Sequence, residues 1–296
     1  MRTDAELAAA YIQARPRLVR IAYAVLGSNA EAEDVVSECW PSLTAANARE
    51  PVLDVDAWAT VAVARRALDE LRSARARRER YIGPWLPEPL LSEETLSADP
   101  AERVTLDDTV SFALLVVLET LTPAERTAWV LHDLFGLEFT KIAGVVGRTP
   151  AAVRQLAARA RKHVTAGAPR IDVNTAEHRA AVAAFSRASA GGDLAALVAV
   201  LDPDVTLTSD GGGAVSTARR PVHGAGRVAR FMIGVAGKVR PGQRVAHIIV
   251  NGAPGLAVFQ GEQITAVASL TVAGSRITRV DLILAPGKLP HLHTSP

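Results

Sequence analysis

The stretch from Tyr81 to about Asp108, beginning YIGPWLPEPLLSEETLSADPAE, sets four prolines and a run of acids between two long helix-forming tracts. Proline lacks an amide donor and clashes with the preceding helical turn, so no helix runs through this stretch. It reads as a linker at 81–108 between helical units at 1–80 and 109–166. A chain of 296 residues is about twice the usual domain length, which suits two or three units with cores of their own. Trp85, Leu86 and Pro87 are odd for a passive linker, because aromatic and apolar side chains in a semi-rigid proline segment dock onto something.

The first tract is helical by period. Leu18, Ile21, Ala22 and Val25 recur at i, i+3, i+4 and i+7, and Gly27 stands where a left-handed residue closes a helix. Ser28 or Asn29 can cap the next helix, AEAEDVVSECW, whose early acids suit the helix dipole. Val35, Val36 and Cys39 give it an apolar stripe; Glu31, Asp34 and Glu38 give it an acidic one. A third helix, DVDAWATVAVARRALDELRSARARRER, is apolar through Trp58, Val61, Leu68 and Leu71 and grows basic toward its end.

Beyond the linker, LEFTKIAGVVGRTPAAVRQLAARARKHV has helix-turn-helix grammar. A short apolar helix meets a turn at Gly147, then Thr149 stands as N-cap with Pro150 in the first helical position. On the second helix Val153, Leu156, Ala157, Ala160 and Val164 share one face, and Ala151, Arg154, Gln155, Ala158 and Lys162 share the opposite one. The first face is expected to be buried and the second to enter a major groove, where Arg and Gln can read base edges or hold phosphates. A three-helix unit with no DNA role could show the same spacing.

Net charge is only +2, so charge overall does not announce a nucleic-acid binder. Its distribution says more: seven arginines against three acids from Arg65 to Arg80, and six cations with no acid from Lys141 to Lys162. The bland alternative is that abundant arginine merely solvates helix surfaces. Cys39 is the single cysteine, so neither an intramolecular disulfide nor a cysteine zinc cluster is expected, nor any metal or cofactor. The longest apolar run, Val110 to Leu118, is far short of the about 20 residues that span a bilayer. With charges breaking the N-terminal stretch, the expectation is a cytoplasmic protein with no signal peptide and no membrane partner.

From Thr175 onward the composition shifts. Two helices precede a strand ending near Asp210; after the helical GRVARFMIGVAGKV come four strand-like segments, RVAHIIVNG, GLAVFQGE, ITAVASLTVAG and RITRVDLIL. Helices followed by a curved antiparallel sheet predict an α+β cone over 175–296.

These residues resemble the extracytoplasmic-function sigma factors of bacterial RNA polymerase across the first 165 or so positions. AYAVLGSNAEAEDVVSECW resembles the region-two helix pair, which implies that Glu31, Glu33, Asp34 and Glu38 hold core polymerase. The basic third helix is similar to the one that engages the minus-ten element, implying promoter-DNA roles for Arg65, Arg66, Arg72, Arg75 and Arg77. Asn47, in the loop TAANAREPVLDVD, falls where that family captures an unstacked base. The helix-turn-helix resembles region four, implying that Arg148, Arg154, Gln155, Arg159 and Lys162 meet the minus-thirty-five element. YIGPWLPEPL and DGGGAV...RRPVHG resemble a subgroup with a fused SnoaL-like domain of the nuclear-transport-factor-two-like fold. Its glycine motif commonly continues with lysine where Ala214 stands, and its Asn-Pro-Asp-Lys-Leu motif is here APGKL, Ala285 to Leu289.

Three readings compete for the glycine stretch at Asp210, Gly211, Gly212 and Gly213. A phosphate cradle lacks the Lys-Ser/Thr and the following helix it needs. An active site would need Asp210 to converge with His223 or His247 in a dry cavity. The third reading is a tight loop that lets this domain lie against the linker and region two of its own chain, with Trp85, Leu86, Pro87, Lys288 and Leu289 in the contact. The function expected is promoter-specific initiation by a sigma factor with a fused regulatory domain. The alternative is a transcription factor whose last domain binds or turns over a small hydrophobic ligand.

Overall fold

The computed structural model describes residues 3–78, 81, 83–93, 110–167, 175–239 and 241–289. They divide into two units, Met1–Glu79 with Leu114–Gly167, and Arg80–Ala113 with Ala168–Pro296.

In the first unit, α1 (Asp4–Leu26) begins at a capping box in which Thr3 accepts from the Glu6 amide and the Glu6 carboxylate accepts from the Thr3 amide. It ends at Gly27, φ 73°, whose N–H reaches the Tyr23 carbonyl at 2.7 Å. Ser28, rather than Asn29, caps α2 (Asn29–Arg49). The long α3 (Val55–Arg78) lies against both helices, and Leu18, Ile21, Val36, Leu43, Ala64 and Leu68 between them are fully buried.

Downstream follow α4 (Phe112–Leu118), α5 (Pro123–Trp129), a π-helical turn over Val130–Leu134, α6 (Phe139–Val146) and α7 (Pro150–Gly167). Thr122 caps α5 through a second capping box with Glu125, with Pro123 in the first turn. The tracts that the proline segment separates in sequence share one core. Ile21, Ala64 and Leu68 cluster with Ala128, Leu131, Ile142, Val146 and Val153. Each such side chain contributes roughly 1.5–3 kcal/mol on leaving water, so the joint core is a substantial tie.

The second unit is built on a seven-stranded sheet. Its strands are β1 (Leu91–Glu93), β2 (Leu201–Asp210), β3 (Val222–His223), β4 (Gln243–Val250), β5 (Ala253–Gln260), β6 (Gln263–Ala273) and β7 (Arg276–Ile283), in the spatial order β1-β4-β5-β6-β7-β2-β3. Only the β2–β7 pair is parallel. Register shifts within β2–β7, β5–β6 and β6–β7 insert irregularities that bend the sheet. Three helices, α8 (Thr175–Gly191), α9 (Leu194–Val200) and α10 (Ala225–Ala236), cover it through Phe185, Leu197, Val228 and Met232. The linker is not merely a tether, since its Leu91–Glu93 pairs antiparallel with Ile248–Val250 and covers that sheet edge.

Candidate nucleic-acid interface and linker anchor

The turn before α7 is set by Gly147, φ 69°, and by Thr149, whose Oγ1 accepts from the Ala152 amide at 3.3 Å. The helix that follows is two-faced. Val153, Ala157, Ala160 and Val164 are buried, while Ala151, Arg154, Gln155, Ala158, Arg159 and Lys162 are exposed, as is Arg148 ahead of it. Arg154 lies over the Phe139 ring at 5.5 Å, and Arg159 Nε donates to Glu125 at 2.9 Å. Burial pushes the Glu125 carboxyl up, but hydrogen bonds from Arg159 and Thr122 outweigh it and hold the group below its usual range.

The basic helix α3 is partly engaged. Arg65 donates to the Gly144 carbonyl at 2.8 Å and Arg75 to the Leu121 carbonyl at 3.0 Å, both across to the second helical tract. Arg66 pairs with Glu38 at 2.7 Å and Arg72 with Asp69 at 3.0 Å. The Arg77 side chain lies outside the described residues. On α2, Asp34 and Glu38 are exposed, Glu31 and Glu33 half-buried, and Glu33 pairs with Arg15. Asn47 is turned inward at 5% exposure, and its Oδ1 accepts from the Val52 amide at 3.1 Å, shaping the loop before α3.

The glycine stretch completes a different site. Asp210, 1% exposed at the end of β2, accepts from the Leu86 amide at 2.8 Å, from Lys288 Nζ at 2.6 Å, from the Gly212 amide at 3.0 Å and from the Tyr81 hydroxyl. Lys288 also donates to the Leu86 carbonyl at 2.6 Å and sits 3.9 Å from the centre of the Trp85 ring. Leu86 and Pro87 are buried and Leu289 is half-buried. Burial alone would raise the Asp210 carboxyl, but the Lys288 charge, with hydrogen bonds from Lys288, Tyr81 and Leu86, holds it below the usual carboxylate range. Burial and the bond to Asp210 push the Tyr81 phenol up. The glycines serve this geometry. A β-carbon at Gly211 would stand 2.1 Å from the Val215 carbonyl oxygen, and Gly212, φ 67°, runs close beneath Ala285.

The histidines do not converge on Asp210. His223 is exposed and bonded to Thr206 at 3.1 Å, and His247 is exposed on β4, three strands from β2. Asn251 is an anchor that sequence reading missed. With Gly252 it forms the two-residue turn between β4 and β5, both at positive φ, a turn the Asn-Gly pair announces. Buried at 4% exposure, its amide N–H donates to the Leu90 carbonyl at 2.8 Å, its Oδ1 accepts from the Leu90 amide at 3.0 Å, and its Nδ2 donates to the Val110 carbonyl at 3.0 Å. Two clusters, around Asp210 and around Asn251, therefore hold the linker on the C-terminal domain.

Among the described residues no helix is long and apolar enough to cross a membrane, and no cluster of acidic, histidine and cysteine side chains is arranged to hold a metal.

A two-faced helix after a capped turn, a basic helix beside an acidic one, and a fused α+β domain together define a promoter-recognition subunit. Sigma-70 region 2 matches residues 10–77, and Sigma-70, region 4 matches residues 111–164. The chain belongs to the extracytoplasmic-function sigma factors, transcription initiation factors of RNA polymerase rather than enzymes. It is 42% identical over 250 residues to the ECF RNA polymerase sigma factor SigJ of Mycobacterium tuberculosis (strain ATCC 25618 / H37Rv), covering 84% of this chain and 77% of that one. To the probable ECF RNA polymerase sigma factor SigI of Mycobacterium tuberculosis (strain CDC 1551 / Oshkosh) it is 35% identical over 295 residues, covering 97% and 96%. The crystal structure of Mycobacterium tuberculosis SigJ superposes with a TM-score of 0.74 at 35% identity, covering 93% of this chain and 95% of that one. The helical sigma modules followed by a SnoaL-like sheet domain are thus the architecture of the family, as expected from the sequence.

Proposed function

We propose that this sigma factor rests with its two DNA-reading modules shut against each other, and that the C-terminal domain governs their opening by holding the linker between them. Elements centred at minus ten and minus thirty-five lie about 25 base pairs, or about 85 Å, apart at roughly 3.4 Å per pair. A globule the size of the first unit has a radius of gyration of about 14 Å, far too small to touch both. The chain between Arg78 and Phe112, fully extended, reaches roughly 110–120 Å, enough to span the elements once it is free.

In this reading Glu31, Glu33, Asp34 and Glu38 hold core polymerase. Arg65, Arg66, Arg72, Arg75 and Arg77 engage the minus-ten region, with Asn47 shaping the base-capture loop. Arg148, Arg154, Gln155, Arg159 and Lys162 meet the minus-thirty-five groove. Opening frees Arg65 and Arg75 from the Gly144 and Leu121 carbonyls, so the closed form masks part of the charge that DNA needs. Trp85, Leu86, Pro87, Asp210, Gly211, Gly212, Gly213, Lys288 and Leu289 form the regulatory contact, which acts on region two through the linker. The protein works in the cytoplasm, where polymerase and promoter are.

The observation that carries this reading is Lys288, which ties the Asp210 carboxylate, the Leu86 carbonyl and the Trp85 ring at one point. In vitro transcription with core polymerase tests it, comparing the full chain with Lys288→Met. A several-fold change in promoter-directed output at unchanged polymerase affinity supports the reading. Identical output and identical linker proteolysis would exclude it.

A further inference from the structure

A cavity of about 270 Å³ in the C-terminal domain takes no part in the linker anchor. Its wall comes from Phe185 on α8, Met232 on α10, Leu256 on β5, Ala268 on β6 and Leu282 on β7, all apolar. Val239 and Val245, 39% and 48% exposed, leave its margin greasy. Such surface open to solvent on a folded domain marks a place where something binds.

Only two lining side chains are polar, Ser186 and Ser189, both on α8. Ser189 is 8% exposed, and its Oγ has no hydrogen-bond partner among the described residues. Buried hydroxyls are nearly always satisfied, so one left open on the wall of an apolar cavity is positioned for a ligand's polar group. No charged residue lines the cavity. An ion would lose its hydration there without compensation, which restricts the occupant to uncharged molecules. Asp281 does not serve it, because residues alternate across β7 and Leu282 is the one that lines the wall. With no titratable group on the wall, the site is built to bind rather than to turn over. An apolar cavity of about 150 Å³ admits benzene, so this one has room for a two- or three-ring aromatic or an aliphatic of similar bulk.

We propose that this cavity binds an uncharged, largely apolar small molecule with a single hydrogen-bonding group that meets Ser189 Oγ. The wall residue Leu284 donates its amide to the Asp210 carbonyl at 2.7 Å, so the cavity and the linker anchor share the end of β7.

The test is a fluorescence titration of the full chain with N-phenyl-1-naphthylamine, an uncharged aromatic amine with one N–H. Saturable binding of one probe per chain is expected. Ser186→Phe and Ala236→Phe, which fill the cavity from its helical side, each weaken binding tenfold or more. Ser189→Ala weakens it about two- to tenfold but leaves the affinity for 1-phenylnaphthalene, which lacks the N–H and is measured by displacement, within twofold. A signal that never saturates overturns the proposal. So does binding unaffected by either filling variant, when circular dichroism shows the variant folded, or by Ser189→Ala.

Discussion

The Arg126 guanidinium, 1% exposed, donates from Nε to the Ala24 carbonyl oxygen at 3.1 Å and pairs with Glu119. One buried cation thereby ties the end of α1 to the helices that follow the linker. Arg126→Ala leaves Glu119 and the Ala24 carbonyl without their donor, and removing one partner of a buried pair costs about 3–5 kcal/mol. Urea unfolding of the first unit is expected to shift by that order. Replacing Arg126 and Glu119 together by Met should recover much of the loss, since no charge is then left buried.

On α7, Arg154 and Gln155 are exposed, and nothing in the core depends on either. Arg154→Ala and Gln155→Ala are expected to weaken minus-thirty-five-dependent holoenzyme binding by about 1–3 kcal/mol each. Their effect on melting should be small, with Arg154 losing only its contact over Phe139, worth about 0.5–1 kcal/mol. Gel-shift titration against promoters altered in that element, beside thermal melts, separates the two effects.

Neighbouring glycines should differ sharply. At Gly211 a β-carbon meets the Val215 carbonyl oxygen at 2.1 Å, whereas at Gly213, φ 74°, nothing lies within 4 Å. Gly213→Ala is expected to cost only the left-handed backbone penalty, about 1–2 kcal/mol. Gly211→Ala must move the loop and should cost clearly more. Melting of the second unit in the two variants checks the order.

Asn251 permits a cleaner cut. Asn251→Gly keeps a residue that tolerates positive φ in the β4–β5 turn but removes the side-chain bonds to Leu90 and Val110. The sheet should stay folded while cleavage of the linker by a nonspecific protease accelerates several-fold. Asn251→Asp, which retains the acceptor for the Leu90 amide, should fall between.

Acid should loosen the C-terminal domain in two steps. His178, buried with Nε2 2.8 Å from the Leu270 carbonyl, is pushed below its ordinary value by burial, which outweighs that hydrogen bond. Its folded value lies beneath the unfolded one, so its stabilisation is complete above about pH 6.5 and is lost as pH falls below that. Asp210 is also depressed, so its contribution is complete above about pH 4 and disappears on further acidification through the folded value. Melting temperature against pH should show both steps. His178→Gln, which keeps a donor for Leu270, removes the first, and Lys288→Met removes the second.

Much of this was legible in the sequence because it rests on local rules. The period of Leu18, Ile21, Ala22 and Val25, the Gly27 stop, and the Thr149–Pro150 start each follow from near neighbours. The two faces of α7 were readable for the same reason. What was not legible depends on distant pairings. Neither the Arg126–Ala24 bond nor the core that Ile21 shares with Ile142 leaves any trace in periodicity, because periodicity says which face is buried and not against what. Asn251 was visible as a turn residue, while its second role arises only when the linker lies beside the turn. The short β1 falls in a proline-rich segment whose composition argues against a strand, and β4 recruits it by offering an unpaired edge.

The distance between the two helical modules tests the central claim most directly. With Cys39→Ser as background, fluorophores on Ser73→Cys in α3 and Thr165→Cys in α7, both exposed positions, report that separation by energy transfer. High transfer is predicted in the free protein, with loss of most of it when core polymerase and promoter DNA are added. Transfer that stays high in a complex actively making transcript would contradict the account.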